Sequence, residues 1–298
     1  MRITFKRVAT EWFTRWSANR VPDYAKQSWQ RLQTVAMPTL GNLSIDKIKP
    51  PQILQVLRSI EDHSVAVRKV KGHISQIMRY GIACGYVMSD PARDIGFALM
   101  PHKITPRPAI LDQKEIGQLL LKIINMRARQ RKCALKLLLL TFVRVGELVT
   151  AEWDDFDFDN AIWHIPAEKM KMKKPHDVPL ATQTIELIRS IPQKSNWLFP
   201  CKCHLDQHED PGSCTLALRR MGYSKDELTA HGFRAMAATK LSELNWHSEV
   251  IERQLAHSDQ NKVRAAYQRS PLLDERRRMM QNWADWLDMR LGMAVLGR

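Results

Sequence analysis

From residue 5 onward, apolar positions recur at helical spacing. The stretch FKRVATEWFTRW predicts one amphipathic helix, and PDYAKQSWQRLQTVAMPTL repeats the pattern until Gly41 stops it. After the turn LGNLSIDKIK, Pro50 and Pro51 open a third helix through QILQVLRSIED, in keeping with proline's tolerance at a helix start. A fourth helix, SVAVRKVKGHISQIMRYGIACG, runs to the glycine of CGY, so residues 1–99 read as one all-helical domain. The pattern then breaks. Residues 100–110, MPHKITPRPAI, hold three prolines and three basic residues without apolar periodicity and read as an extended linker.

A second domain, residues 111–298, begins with a capping pattern from Asp112 to Glu115 ahead of IGQLLLKIINM. A strongly apolar helix, CALKLLLLTFV, follows and ends at Arg144-Val145-Gly146-Glu147-Leu148. The alternation in FDFDNAIWHIP and KKPHDVPL predicts short strands, with DFDN and KKPH as turns. ATQTIELIRSI returns to helix, WLFPCKCHLDQHEDPGS is a loop, and the remainder is helical. For the last helix Ser270 is the expected cap, with Pro271 in the first turn and a basic run from Glu275 to Arg278. Its residues Met279, Met280, Trp283, Trp286, Leu287 and Leu291 form one stripe. That stripe either completes its own domain's core or docks on a neighbouring copy.

Charge narrows the partner. The 298 residues carry a formal net charge of +15, an excess that calls for an anionic partner. Residues 1–107 hold 17 Lys and Arg against 7 Asp and Glu, so the smaller part is the more basic. Arg68, Lys69 and Lys71 crowd the first turns of the fourth helix, as a solvated face or as contacts to a DNA backbone. No continuous basic amphipathic helix favours a membrane surface, no apolar run approaches a membrane span, and the first residues lack a signal peptide's apolar core. The expected location is the cytoplasm. Five scattered cysteines argue against a disulfide framework. Cys201, Cys203, His204, His208 and Cys214 invite a zinc reading, but their spacing is not a standard ligand pattern, and an irregular loop with incidental thiols is the expectation.

The chemistry gathers between Thr229 and Tyr267. His231 and Arg234 are three residues apart, which puts them on neighbouring turns of one helix face. Leu255-Ala256-His257 follows, then a polar turn, and Tyr267 comes ten residues after His257. Arg144 ends an apolar helix, where a lone guanidinium is costly to bury. A salt bridge to Glu147 is its ordinary explanation. Lys169, Lys171, Lys173 and Lys174 crowd one hairpin, ordinarily a solvated turn. A tyrosine alone is a poor nucleophile at neutral pH and needs cations and a base beside it.

The order H-x-x-R, L-A-H and tyrosine, with TFVRVGEL upstream, resembles the signature of tyrosine recombinases, also called phage integrases. Residues 1–99, including SDPARDI, resemble the core-binding domain of integrases carried by satellite phages and genomic islands. The resemblance implies a mainly α fold with a small β-sheet. It comprises a helical, SAM-like core-type DNA-binding domain (1–99), a linker (100–110) that lets two domains close on duplex DNA, and an α+β catalytic domain (111–298). Val145 stands where a common form of the motif has proline. The family's catalytic lysine lies eight residues before the proline ending the second strand, which selects Lys171, with Lys173 as runner-up.

By this resemblance Tyr267 attacks a phosphodiester to give a 3′-phosphotyrosine and a free 5′-hydroxyl. Arg144, Arg234 and His257 hold the non-bridging oxygens, Lys171 protonates the leaving oxygen, and His231 assists proton transfer from the tyrosine. Arg68, Lys69, Lys71, Lys173 and Lys174 are the expected DNA contacts. The implied partner is double-stranded DNA bearing attachment core sites, bound by a homotetramer, with accessory DNA-bending proteins allowed for and no metal, ATP or other cofactor. The family's N-terminal arm-binding domain finds no counterpart in the sequence. The competing functions are a truncated integrase that binds core DNA with little recombination, and a DNA-relaxing activity of the type IB topoisomerase kind.

Overall fold

A computed structural model describes residues 3–100, 108–257 and 272–297, and the chain divides into two compact units, 1–105 and 106–298. The first unit is helical. Helix α1 (Phe5–Ser17) is capped by Thr4, whose hydroxyl accepts from the Arg7 amide, and buries Phe5, Val8, Ala9 and Trp12 at the spacing the sequence shows. Helix α2 (Pro22–Arg31) runs through a π-helical segment, Leu32–Ala36, into α3 (Met37–Leu40). Helices α4 (Pro50–Arg58) and α5 (Ser64–Ala83) complete the bundle. Gly85, at φ +72°, turns the chain just beyond α5, a conformation that glycine adopts without the penalty a side chain would bring.

The second unit is built around α7 (Arg129–Thr141), which is buried along most of its length. Helix α6 (Gln113–Ile124) starts at Asp112, whose carboxylate accepts from the Lys114 and Glu115 amides as the capping pattern requires. After α8 (Val145–Val149) comes a three-stranded antiparallel sheet in the order β1 (Phe156–Asp157), β2 (Ile162–Ile165), β3 (His176–Pro179). Its register pairs Trp163 with Val178 and Ile165 with His176. Helices α9 (Thr182–Arg189), α10 (Gly212–Arg220), α11 (Gly232–Glu243) and α12 (Ser248–Gln254) follow. The long α13 spans Leu273–Val295. The fold is thus mainly α with a small sheet.

Helix α13 lies against α6. Their approach is close at Gly117, where a Cβ would stand 2.9 Å from the Arg290 carbonyl oxygen. Of the C-terminal stripe, Met279, Met280, Trp283, Trp286 and Leu287 are buried in the core of their own unit, and Leu291 packs against it. The internal reading therefore holds for these side chains, and they are not available to dock on another copy. The cap expected at Ser270 and the proline at 271 lie outside the described residues; α13 as observed begins at Leu273, after Leu272 in a left-handed conformation. No helix among the described residues is long and apolar enough to cross a membrane.

Candidate active site

The site forms where two helix C-termini meet two helix starts. The last carbonyls of any helix lack partners within it and carry the negative end of its dipole. In α7 that end is closed by Phe142 at φ +40°, and α12 is followed by Ala256 at φ +48°. Both left-handed turns leave carbonyl oxygens that side chains from elsewhere must satisfy. Arg234, in the first turn of α11, does so for both helices: Nη1 donates to Phe142 O at 2.7 Å and Nη2 to Leu255 O at 2.5 Å. Arg144, the residue preceding α8, donates from Nη2 to Ala256 O at 3.3 Å.

Arg144 also makes the salt bridge that is its ordinary structural explanation. Nη1 lies 2.7 Å from Glu147 Oε1, and the Glu147 carboxylate reaches back to the Arg144 amide at 2.9 Å. Glu147 is buried, so the pair is held away from water. The guanidinium of Arg234 is 4% exposed, and its pKa is pushed down to about 10. Burial is the larger cause, and the nearby charge of Arg144 adds to it, while Glu147 and Glu252 act in the opposite sense. Two guanidiniums thus share a dry corner with one buried carboxylate. The corner carries an excess of positive charge that an incoming anion would relieve.

His231 sits immediately before α11 and is half-buried. Its spacing predicts a helix face shared with Arg234; it instead occupies the N-cap position, because the turn closed by Thr229 ends there. Gly232 beside it is required by a close approach, since a Cβ would fall 2.3 Å from the Pro108 carbonyl oxygen. His257 is exposed and its Nδ1 lies 2.6 Å from Glu252 Oε2, a contact that fixes the ring and its tautomer. Tyr267 lies outside the described residues.

The lysines of the hairpin separate by environment. Lys169 is tied to Glu152 and Asp155 at 2.9 and 2.8 Å, and its pKa is raised because those carboxylates outweigh its burial. Lys173, at φ +53°, donates to Glu168 O. Lys171 and Lys174 are exposed, and among the described residues neither side chain has a hydrogen bond or ion pair. Lys171, the lysine expected to be catalytic from the resemblance, thus has no structural task among the described residues, and the same is true of Lys174. In the first unit Arg68 and Lys69 are exposed, whereas Lys71 is half-buried and donates to Arg93 O. Lys71 thus helps to hold its own unit together.

Three polar residues beneath the site were not singled out from the sequence. His176, on β3, has Nε2 3.1 Å from Gln254 O, and burial beside Arg276 lowers its pKa to about 4. Gln254, 1% exposed, receives Nε and Nη2 of Arg276 on Oε1 at 3.0 and 2.7 Å. Arg276, also buried, further donates to Asp177 O, and its pKa is lowered to about 10, chiefly by burial. A signal for two of them existed. Gln254 stands one turn on from Val250 on the buried side of α12, and Arg276 precedes Met279, Met280 and Trp283 on the apolar stripe of α13.

The thiol-bearing loop gathers nothing comparable. Cys214 is buried in α10 with its thiol pushed up to about 11 by burial, and His208 Nδ1 contacts Glu209 O. Among the described residues no three His, Cys, Asp or Glu side chains are grouped to hold a metal ion.

A small antiparallel sheet set among helices, with Arg144 and Arg234 brought to one corner from distant segments, is the arrangement that known relatives can be set beside. Residues 5–98 match the phage integrase central domain and residues 109–271 match the phage integrase family, so the chain belongs to the phage integrase family. The integrase of Enterobacteria phage P4 is 38% identical over 96% of this chain and 70% of its own length. Prophage integrase IntA of Escherichia coli (strain K12) is 33% identical over 95% of this chain and 69% of its own. Among solved structures, a lambda integrase dimer bound to a COC' core site shares the fold with a TM-score of 0.71, at 16% identity, over 90% of this chain and 78% of that one. The Tn1549 transposon integrase in complex with circular intermediate DNA gives a TM-score of 0.69 at 14% identity, over 90% of this chain and 100% of that one.

Proposed function

We propose that this chain is a site-specific DNA recombinase that cuts and rejoins duplexes through a 3′-phosphotyrosine intermediate, serving the integration or excision of a mobile element. The observation that carries the reading is the convergence of Arg144 and Arg234, ninety residues apart in sequence, on a buried corner with surplus positive charge. Such a corner suits a phosphodiester whose charge grows in the transition state. Tyr267 is the nucleophile and its oxygen displaces the 5′-oxygen of the scissile phosphate. Arg144 and Arg234 hold the non-bridging oxygens. With Nδ1 committed to Glu252, His257 offers Nε2 to the same phosphate. Lys171 protonates the departing 5′-oxygen, and His231 takes part in removing the tyrosine proton. The phosphotyrosine link keeps the bond energy for rejoining, so the reaction calls for no ATP.

Residues 1–99 supply a core-type DNA-binding domain and residues 111–298 the catalytic domain, joined by the linker 100–110. Arg68, Lys69 and Lys71 of the first unit and Lys173 and Lys174 of the second contact the DNA backbone, with Lys71 also holding its own unit together. The working assembly is a tetramer on two duplexes, in line with the lambda integrase tetramer bound to a Holliday junction, whose fold this chain shares.

The test is covalent trapping on a nicked suicide duplex carrying the attachment core, found by sequencing the DNA that the parental protein traps. Denaturing electrophoresis should show an adduct mapping to Tyr267 that survives EDTA. Tyr267→Phe should abolish it while leaving DNA affinity nearly intact. Cleavage retained in that variant would move the nucleophile elsewhere. Relaxation of supercoils without strand exchange between duplexes would instead mark a topoisomerase.

A further inference from the structure

Three consecutive carbonyls at the end of α12 hold three different side chains. Gln254 O accepts from His176, Leu255 O from Arg234 and Ala256 O from Arg144. The turn 254–257 is therefore a template for both arginines, and whatever fixes the turn fixes their aim. It is fixed from below by the Gln254 side chain, which receives a forked contact from Arg276 and donates over a long 3.5 Å to Thr141 O in the last turn of α7. Arg276 comes from the first turn of α13 and also holds Asp177 O on β3. The Gln254 side-chain amide thus joins α12, α13 and α7, and β3 is tied in through His176 on the Gln254 main-chain carbonyl and through Arg276 on Asp177 O.

We propose that Gln254 and Arg276 are positioning residues for the cleavage reaction, acting through the 254–257 carbonyls to hold Arg144 and Arg234 in register. This rests on the recombinase reading above. Neither residue need touch DNA, since both are buried. Residues 254 and 276 also bracket the segment that contains position 267, so their contact joins the chain on either side of it. A planar guanidinium gripping one amide oxygen by two nitrogens sets orientation as well as distance, which a lysine or an apolar contact would not. Displacement of a preorganised donor by about 1 Å costs on the order of a hundredfold in rate.

The experiment uses the full chain and the nicked suicide duplex, read by single-turnover cleavage, DNA affinity and thermal unfolding. Gln254→Met keeps the shape but removes the acceptor. Cleavage should fall roughly tenfold to a hundredfold while the dissociation constant for the duplex stays within about twofold, the pattern of a lost transition-state interaction. Gln254→Glu keeps an acceptor for Arg276 and should retain most of the cleavage. Arg234→Ala should cost about tenfold less in the Gln254→Met background than in the parental chain, because the arginine is already misaimed. If Gln254→Met does not fold, Gln254→Met with Arg276→Met removes the acceptor together with the guanidinium it held, and carries the same test. Parental cleavage in the folded variant, equal loss in Gln254→Met and Gln254→Glu, or full additivity with Arg234→Ala would each overturn the inference. Absence of any adduct from the parental chain would instead sink the recombinase reading itself.

Discussion

At the scale of single residues, the two site arginines differ in what they rest on. Arg144 is half-buried and neutralised by Glu147, while Arg234 is buried among carbonyls with no carboxylate within bonding distance among the described residues. Arg144→Ala and Arg234→Ala should each slow cleavage by about 10²–10³, or roughly 3–4 kcal/mol, as for other preorganised charge donors. Their effects on stability should diverge. Removing Arg144 strands the buried Glu147 carboxylate and should destabilise the fold, whereas Glu147→Gln in the same chain should recover part of the loss. Urea unfolding of the three variants checks this, and equal stability of Arg144→Ala and parental protein would mean Glu147 is solvated after all.

His176 gives a pH-dependent prediction. Its pKa falls from the ordinary 6.5 to about 4, so the folded state binds this proton less readily than the unfolded chain. The neutral ring's contribution is fully present above pH 6.5 and is lost as pH falls through 4. The whole effect is on the order of 3 kcal/mol, since a tenfold change in proton affinity corresponds to about 1.4 kcal/mol. His176→Asn should flatten the pH dependence of unfolding for residues 106–298 between those two values. His73, flanked by Trp12 and Trp16 and also lowered to about 4, is a matching internal control in the other unit.

At the scale of elements, the sequence disclosed more of the site than of its support. Arg144 and Arg234, which the structure brings to one corner, were legible because each belongs to a short motif whose spacing is local, as the candidates His231 and His257 also do. The helices of the first unit were legible from periodicity, but the π-helical segment at Leu32–Ala36 was not, because a single turn of five residues is too short to show a period of its own. Gln254, Arg276 and His176 were hidden for a different reason. Their roles exist only once α12, α13 and β3 are packed, and an arginine in a basic run reads as solvated until a buried partner is known. Close packing of α13 gives a prediction at this scale. Gly117→Ala improves helix propensity by about 1 kcal/mol, yet its Cβ would press on the Arg290 carbonyl at 2.9 Å and the Ala294 methyl at 3.1 Å. Both obstacles belong to another helix, so we expect net destabilisation of about 1–3 kcal/mol from overpacking. A rise in melting temperature would show that α6 and α13 can separate at little cost.

For the whole molecule, the distribution of charge is the property that neither unit explains alone. The chain's excess of +15 is concentrated toward residues 1–107, while the surplus in the second unit includes the arginines already engaged at the site. If the first unit grips phosphates, binding must release counterions, and affinity should fall with salt at a log–log slope of about −0.9 per phosphate contact. In the proposed reaction Arg144 and Arg234 share a single scissile phosphate, so together they contribute only about one contact to that slope. Arg234→Ala should therefore change the slope by less than about 1 while slowing cleavage. Arg68→Ala with Lys69→Ala should reduce its magnitude by about 2 and leave the cleavage rate of saturated protein near the parental value. Fluorescence anisotropy across a salt series, beside single-turnover cleavage at saturation, separates the two effects. A slope that responds to Arg234 but not to Arg68 and Lys69 would place the main phosphate grip in the second unit and leave the basic face of α5 as a solvated surface.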